Sequence, residues 1–153
     1  MRVLLVEDDE NKKSRILEFY KNQYPDDEIL NEDSMVSGLR AAREVRPDLV
    51  ILDMTLPNYS ISSGQGFNPM RPFGGRDFLR QLQRLEIHAH VVVLTQFETF
   101  GAPPNQIDLQ SLNKELVEEF REIFLGSIYY HASKSSWQSE LVSIREQLEE
   151  TGK

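Results

Sequence analysis

Hydrophobic and polar residues follow one another along this chain in two recurring patterns. In the first, four apolar residues stand together and a polar residue ends the run, as at residues 3–6, 49–52 and 91–94. Unbroken apolarity of this kind is typical of a strand that is covered on both faces. In the second, apolar residues recur every three or four positions, which is the spacing of an amphipathic helix. Because the two patterns alternate, the sequence predicts alternating strands and helices.

The alternation occurs five times and predicts the fold class. The predicted strands are residues 3–6, 27–30, 49–52, 91–94 and 128–130. The apolar positions that predict helices fall within residues 16–24, 35–45, 78–85, 109–124 and 137–148. We expect Gly126 to end the fourth helix, and Ser135 or Ser136 to cap the fifth. Such repeats predict an α/β protein with a five-stranded, doubly wound parallel sheet in three α/β/α layers.

Two stretches lack this periodicity and are predicted to be long loops. Residues 58–75 contain four glycines, two prolines and three serines, and residues 96–108 contain Pro103-Pro104. Long connections in a compact domain are usually functional or mobile. Since the chain has 153 residues, we predict that residues 1–153 form a single domain that includes both loops.

Composition narrows the classes of function. Asp and Glu total 25 against 17 Lys and Arg, a formal net charge of −8, whereas a protein held on nucleic-acid phosphates needs a basic face. The chain has no cysteine, which rules out disulfides and thiolate chemistry and fits a reducing compartment. No apolar run approaches the roughly 18 residues of a membrane span. We therefore predict a cytoplasmic protein that contacts neither nucleic acid nor membrane directly.

Polar side chains follow four of the predicted strands. They are Glu7-Asp8-Asp9, Asp53, Thr95 and Ser133-Lys134. Ligands of an open parallel sheet bind at the carboxyl ends of its strands, so we expect these side chains to lie close together. Carboxylate oxygens suit a hard cation such as Mg²⁺. A lysine and a threonine would hold phosphoryl oxygens while an aspartate attacks phosphorus.

These strand ends resemble the receiver domain of two-component response regulators. The segments that carry the resemblance are Leu4-Leu5-Val6-Glu7-Asp8-Asp9, residues 47–57, residues 91–95 and Ser133-Lys134. The resemblance covers the chain apart from the two predicted loops. It implies a flavodoxin-like (βα)5 fold and a signalling domain rather than a classical enzyme. Autocatalytic phosphotransfer to its own aspartate and slow self-dephosphorylation are the implied chemistry.

The resemblance also implies roles for individual residues. Asp53 is the implied phosphoacceptor, and Thr95 and Lys134 are the implied contacts of the phosphoryl oxygens. The implied Mg²⁺ ligands are Glu7, Asp8, Asp53 and the main-chain carbonyl of Thr55, with Asp9 as the alternate acid. The implied switch residues are Thr95, His131 and Tyr130.

The implied partners are a histidine kinase or phosphotransfer protein and an output protein of unknown identity, with a homodimer as a further option. The sequence also departs from the receiver pattern. Gln96 stands where a small residue is usual, Ser135 where proline is usual, and residues 58–75 replace a short turn. A degenerate pseudo-receiver that binds partners without phosphorylation is therefore the alternative function. A phosphohydrolase is disfavoured because Thr55 stands where dehalogenase-like enzymes carry a second aspartate.

Overall fold

One parallel sheet forms the centre of the structure, a computed structural model that describes residues 1–60, 64 and 66–151. The strands are β1 (Arg2–Val6), β2 (Glu28–Glu32), β3 (Leu49–Leu52), β4 (Leu56–Pro57), β5 (Met70–Arg71), β6 (His90–Thr95), β7 (Thr99–Phe100), β8 (Ile107–Asp108) and β9 (Phe124–Tyr129). Five of them form the central sheet in the order β2-β1-β3-β6-β9. All neighbouring pairs of this sheet are parallel, which confirms the predicted sheet.

Helices cover both faces of the sheet. They are α1 (Glu10–Gln23), α2 (Met35–Val45), α3 (Gly74–Arg84), α4 (Leu109–Glu119) and α5 (Ser136–Thr151). One hydrophobic core joins the sheet to α1 and α5, and a second joins it to α2, α3 and α4. The predicted three-layer fold is therefore confirmed. Within the described ranges, no helix combines the length and the apolar character that crossing a membrane requires.

The first strand shows why its apolar run is unbroken. Leu4 and Val6 belong to the core beneath α2, α3 and α4, whereas Val3 and Leu5 belong to the core beneath α1 and α5. Successive side chains of a strand point to opposite faces. A central strand between two helical layers therefore needs an apolar residue at every position.

The fourth helix is shorter than its apolar stripe predicts. α4 ends at Glu119, and Phe120 is its C-cap residue. Phe124, predicted as the last helical position, is the first residue of β9. Both phenylalanines are buried in the same core. The four-residue spacing from Phe120 to Phe124 thus reflects shared burial across a turn and not a continuing helix.

The prediction that Gly126 ends this helix is wrong. Gly126 lies inside β9 with a φ of 138°, a conformation that side-chain-bearing residues rarely adopt. Val91 of β6 pairs with Phe124, and Val92 pairs with Gly126. Leu125 is therefore an extra residue in β9, and the glycine accommodates the resulting bulge.

The first predicted long loop contains one short antiparallel strand, and the second contains two. In the first, β5 pairs with β4, which brings Arg71 opposite Leu56, and α3 begins at Gly74 inside the predicted range 58–75. In the second, β7 pairs with β8. Residues 61–63 and 65 of the first loop, and residues 152–153 of the predicted domain, lie outside the described residues.

Candidate functional site at the carboxyl edge of the sheet

Three predicted acids come together at the carboxyl edge of the sheet. Val6 of β1 is opposite Leu52 of β3, so the residues that follow these strands leave the sheet side by side. The backbone N–H of Asp53 donates to the Val6 carbonyl at 3.0 Å. Carboxylate oxygens of Glu7, Asp8 and Asp53 all lie within 4.8 Å of one another. We call these three residues the acid cluster.

Burial makes the acid cluster electrostatically unfavourable. Glu7 is 1% exposed and Asp53 is 4% exposed, whereas Asp8 is half-buried. Burial and the charge of Asp53 raise the pKa of Glu7 to about 7. Burial and the charge of Glu7 raise the pKa of Asp8 to about 6, and burial also raises the pKa of Asp53. Protons or a bound cation therefore stabilise the acid cluster.

A buried lysine that was not predicted as a site residue contacts two of these acids. Lys12 lies in the first turn of α1, and its ammonium Nζ is 2.6 Å from Glu7 Oε1 and 3.5 Å from Asp53 Oδ1. The ammonium also donates to the Leu94 carbonyl at 2.6 Å. Burial acts to lower the pKa of Lys12, but Asp53 and Glu7 hold that pKa above its ordinary value. Lys12 is therefore a buried ammonium.

The spacing of Lys12 from the apolar residues of α1 could have identified it from the sequence. Lys12, Ile16 and Tyr20 follow one another at four-residue intervals, and all three are buried on one side of α1. The apolar part of this stripe begins at Ile16, and a lysine is normally excluded from a buried helix face. Side chains four residues apart lie on the same face of a helix, so position 12 extends the stripe.

The acid cluster can accept positive charge beyond that of Lys12. Three carboxylates face one ammonium, which leaves two negative charges in excess when all are ionised. Asp53 Oδ1 is buried and has no hydrogen-bond partner among the described residues, because Lys12 stands at ion-pair distance from it without hydrogen-bond geometry. Mg²⁺ takes a few carboxylate ligands and keeps several waters. The residues present therefore fit the implied ion.

Asp9 and Thr55, also predicted as metal ligands, lie beside the acid cluster. Asp9 is the N-cap residue of α1, and its side chain accepts from the Lys12 N–H at 3.0 Å. The Asp9 N–H in turn donates to Glu7 Oε2 at 3.1 Å. Asp9 thus fixes the start of α1 and orients Glu7. Thr55 is half-buried two residues after Asp53, and the metal-binding role of its carbonyl stays a prediction.

The beginning of α3 packs directly against the backbone of Asp53. The Gly75 N–H donates to the Met54 carbonyl at 2.8 Å. A Cβ at Gly75 would lie 2.8 Å from the Asp53 carbonyl oxygen and 2.9 Å from Met54 Cα. No side chain fits at these distances. Glycine at position 75 therefore lets the start of α3 pack against the backbone of Asp53 and Met54 and hold it in place.

Two predicted switch residues are buried at the ends of β6 and β9. Thr95 Oγ1 accepts from the Phe97 N–H at 3.2 Å, and the Tyr130 N–H donates to the Thr95 carbonyl at 2.7 Å. The Tyr130 ring packs against Trp137 with centroids 5.3 Å apart and lies 5.7 Å from Lys12 Nζ. Thr95 and Tyr130 are thus near the carboxyl edge, and their switch role stays a prediction.

Lys134 and His131 lie on the surface, in the turn before α5. The Lys134 N–H donates to the His131 carbonyl at 3.1 Å, and both side chains are exposed. Lys134 lines a cleft with Arg15 and Glu18 of α1. In the described part of the chain, the ion pair to Asp53 comes from Lys12. Among the described residues, Lys134 therefore makes no ion pair with the acid cluster, and its contact with a phosphoryl group stays a prediction.

Relatives of this chain include proteins of Sinorhizobium fredii, Enterobacter cloacae and Vibrio alginolyticus. No family model matches the chain. The uncharacterized protein y4jR of Sinorhizobium fredii is 36% identical over 146 residues, which span 95% of this chain and 97% of y4jR. The Detocs response regulatory protein DtcB of Enterobacter cloacae is 25% identical over 142 residues, which span 91% of this chain and 95% of DtcB.

Solved structures have the same fold. A response regulator receiver domain protein from Clostridium thermocellum matches with a TM-score of 0.61 and 20% identity, over 99% of this chain and 96% of that chain. The predicted resemblance to receiver domains is thus confirmed. The chain belongs to the same protein family as y4jR, and its fold is that of response-regulator receiver domains.

Proposed function

We propose that this chain is a phosphoacceptor signalling domain in which Asp53 takes a phosphoryl group. The observation that carries the proposal is the environment of the Asp53 carboxylate. It is buried among excess negative charge, and its Oδ1 has no hydrogen-bond partner among the described residues. Burying a charged group without full compensation costs free energy of folding. Such costs are characteristic of functional sites, where perturbed pKa values cluster.

The chemical step is a transfer of one phosphoryl group. A carboxylate oxygen of Asp53 forms a bond to phosphorus while the bond between phosphorus and the imidazole nitrogen of a phosphohistidine breaks. The electron pair of that bond leaves with the imidazole, which takes up a proton from solvent. The product is an acyl phosphate on Asp53. Its later hydrolysis by water returns the carboxylate and releases inorganic phosphate.

Residues of this chain would hold Mg²⁺ and the phosphoryl group at the carboxyl edge. Glu7, Asp8 and Asp53 would supply carboxylate ligands, and Thr55 would add its main-chain carbonyl. When bound, the ion would stabilise negative charge on the phosphoryl oxygens. Asp9 orients Glu7 through its backbone N–H, and the hydroxyl of Thr95 would donate to a phosphoryl oxygen.

The kinds of partner follow from the same proposal. DtcB is named a response regulatory protein, which supports a signalling role for the present chain. We propose that a histidine kinase or phosphotransfer protein donates the phosphoryl group in the cytoplasm. An output protein then binds the altered surface, and a second copy of this chain is one form that this partner could take. The proposal includes no direct contact with nucleic acid or membrane.

A pseudo-receiver is the second candidate function, and one observation favours it. The Lys12 ammonium contacts Glu7 at 2.6 Å and lies 3.5 Å from Asp53, so part of the acid charge is neutralised without a metal ion. In this function Asp53 stays unphosphorylated and a partner binds the surface constitutively.

Intact-mass measurement after incubation with acetyl phosphate and Mg²⁺ tests the proposal. We expect the wild type to gain the mass of one phosphoryl group, and Asp53→Asn to gain none. Asp48→Asn is the matched control, because Asp48 is an exposed acid at the opposite end of β3, and it should gain the mass normally. A wild type that stays unlabelled would favour the pseudo-receiver, and labelling that persists in Asp53→Asn would exclude Asp53 as the acceptor.

A further inference from the structure

The Lys12 ammonium stands at the centre of the carboxyl edge. Its Nζ lies 2.6 Å from Glu7 Oε1, donates to the Leu94 carbonyl at 2.6 Å and lies 3.5 Å from Asp53 Oδ1. An ammonium has three donors, and these three partners come from the ends of β1, β6 and β3. Lys12 thus connects the acid cluster to the strand that ends in Thr95.

Helix α1 holds Lys12 in this position. Asp9 caps the helix by accepting from the Lys12 N–H at 3.0 Å, which fixes the first turn at the acid cluster. Ile16 and Tyr20, on the same face, are fully buried in the core. Lysine is almost never fully buried unless it is paired, and Lys12 is 2% exposed. Its ion pairs with the acid cluster are what make this burial tolerable.

Lys134 has none of these features. Its side chain is exposed, and the turn from His131 to Lys134 leads directly into α5. The cleft that Lys134 lines includes Arg15 and Glu18 of α1, one to two turns beyond Lys12. Lys134 therefore lies at the surface, whereas Lys12 contacts the acid cluster and stands next to Asp53.

We propose that Lys12, in place of Lys134, supplies the positive charge that contacts the phosphoryl group on Asp53. This inference rests on the proposed phosphorylation of Asp53. A phosphoryl group attached to that carboxylate places its oxygens beside an ammonium that already lies 3.5 Å from Oδ1. The new oxygens compete with Glu7 and the Leu94 carbonyl for the donors of Lys12, since all three are hydrogen-bond acceptors.

The same contact links phosphorylation to the surface. Leu94 immediately precedes Thr95, and the Thr95 hydroxyl accepts from the Phe97 N–H. A change in the bond between Lys12 and the Leu94 carbonyl therefore acts on the end of β6. Phe97, which is 40% exposed, is a large side chain two residues beyond Thr95 through which a partner protein would detect this change.

Labelling rates with acetyl phosphate and Mg²⁺ compare the two lysines. Lys12→Gln should lower the initial labelling rate by about tenfold or more, the loss expected when a hydrogen bond to a charged group is removed. Lys134→Gln is the matched control and should label at the wild-type rate. Lys12→Arg keeps the positive charge and should recover part of the lost rate.

A measurement on the wild-type protein removes any dependence on how well the variants fold. Nitrogen-15-labelled lysine reports each ordered ammonium by magnetic resonance, and Lys12→Arg assigns the Lys12 signal by its absence. Addition of beryllofluoride with Mg²⁺, as a non-covalent mimic of the phosphoryl group, should shift the Lys12 signal. The same addition should leave the Lys134 signal unaffected. Mg²⁺ with fluoride alone is the control, and it should not produce the shift of Lys12 that beryllofluoride causes.

The outcomes separate this inference from the function on which it rests. A wild-type rate in Lys12→Gln together with a reduced rate in Lys134→Gln would overturn the inference and leave phosphorylation of Asp53 intact. An ammonium signal of Lys12 that beryllofluoride does not move would do the same. A wild type that takes no label at all would overturn the proposed function, and this inference with it.

Discussion

The two edges of the sheet hold buried charges in opposite ways. At the amino edge, Arg145 of α5 donates to Asp27 Oδ1 at 2.9 Å and to Oδ2 at 3.1 Å. Tyr20 donates to the same carboxylate at 2.6 Å. Burial acts to raise the pKa of Asp27, but the hydrogen bonds from Tyr20 and Arg145 hold it below its ordinary value. The amino-edge acid is therefore fully satisfied within the fold.

The carboxyl edge has too few positive charges for its acids. Lys12 pairs closely with Glu7, but the pKa values of Glu7, Asp8 and Asp53 are all raised, chiefly by burial. Asp53 Oδ1 has no hydrogen-bond partner among the described residues. The amino edge thus contains an ion pair whose hydrogen bonds are satisfied. The carboxyl edge contains an acid cluster that a cation or a chemical modification would stabilise.

This difference separates a structural ion pair from a functional site. Removing one partner from a buried, satisfied pair leaves an uncompensated charge and is strongly destabilising. Removing an acid from a site that already has excess negative charge relieves repulsion, and active sites commonly sacrifice stability in this way. The two edges should therefore respond to similar substitutions with opposite signs.

The largest effect is expected at the amino edge. Arg145→Met should lower the free energy of unfolding by about 3–5 kcal/mol, because it removes the buried guanidinium that neutralises the Asp27 carboxylate. Arg80→Met is the matched control, since Arg80 also binds a carboxylate with two nitrogens, that of Glu119, but is half exposed. The control should lose about 1 kcal/mol or less. Urea unfolding measures both, and equal losses would contradict the structural role of the Arg145 pair.

The second effect is stabilisation of the carboxyl edge by a metal ion. Mg²⁺ at a hundred times its dissociation constant should raise the free energy of unfolding of the wild type by about 2.7 kcal/mol. Glu7→Gln with Asp8→Asn removes two carboxylate ligands and should abolish this gain, whereas Asp48→Asn should keep it. Thermal unfolding with Mg²⁺ and with a chelator measures the difference. The same gain in the double variant would show that the ion binds elsewhere.

The third effect is a gain in stability when the acceptor is neutralised. Asp53→Asn without Mg²⁺ should raise the free energy of unfolding by about 0.5–2 kcal/mol, because it removes a buried like charge and leaves Lys12 paired with Glu7. Asp27→Asn, the same substitution at the other edge, should lower it. Two losses of similar size would mean that the edges do not differ electrostatically.

The smallest effect is a pH dependence of the metal-free protein. The pKa of Glu7 is raised from 4.5 to about 7, so the folded state binds more protons than the unfolded state between these values. The contribution of Glu7 to stability is therefore complete below pH 4.5 and is lost as pH rises through 7. Asp8 acts in the same direction between pH 3.8 and about 6, but solvent screens it more.

Unfolding curves of the wild type and of the Glu7→Gln, Asp8→Asn double variant isolate this dependence. The difference in unfolding free energy, wild type minus variant, should fall as pH increases from about 5 to 8. The Asp27 contribution has the opposite sign, because a lowered pKa gives stability that is lost as pH falls, and it is common to both proteins. A difference that rises with pH would contradict the raised pKa values at the carboxyl edge.

The fold could be predicted because its strongest signals are local. A strand between two helical layers requires apolar residues on both faces, as β1 and β3 show, and this requirement is visible in four consecutive residues. The end of α4 was not visible in this way. Phe120 and Phe124 are buried in one core on both sides of a turn, and their spacing fits a helix equally well.

The acids of the site could be predicted because each directly follows a strand, and topology brings strand ends together. The two buried cations, Lys12 and Arg145, could not be predicted to be buried, because lysine and arginine are normally exposed. Lys12 continues the stripe of Ile16 and Tyr20, and Arg145 continues that of Trp137 and Leu141. Both stand where an apolar residue is expected, and their partners, Asp53 and Asp27, are distant in sequence. Only the tertiary structure shows why a charge is tolerated there.

Chemical mapping of the phosphoryl group tests the central claim most directly. After incubation with acetyl phosphate and Mg²⁺, borohydride reduction converts an aspartyl phosphate into homoserine, and peptide mass spectrometry identifies the altered residue. The excess of negative charge at the carboxyl edge predicts homoserine at position 53, and none at Asp27 or Asp48. Homoserine at either of those aspartates with residue 53 unchanged, or at no position at all, would contradict Asp53 as the phosphoacceptor.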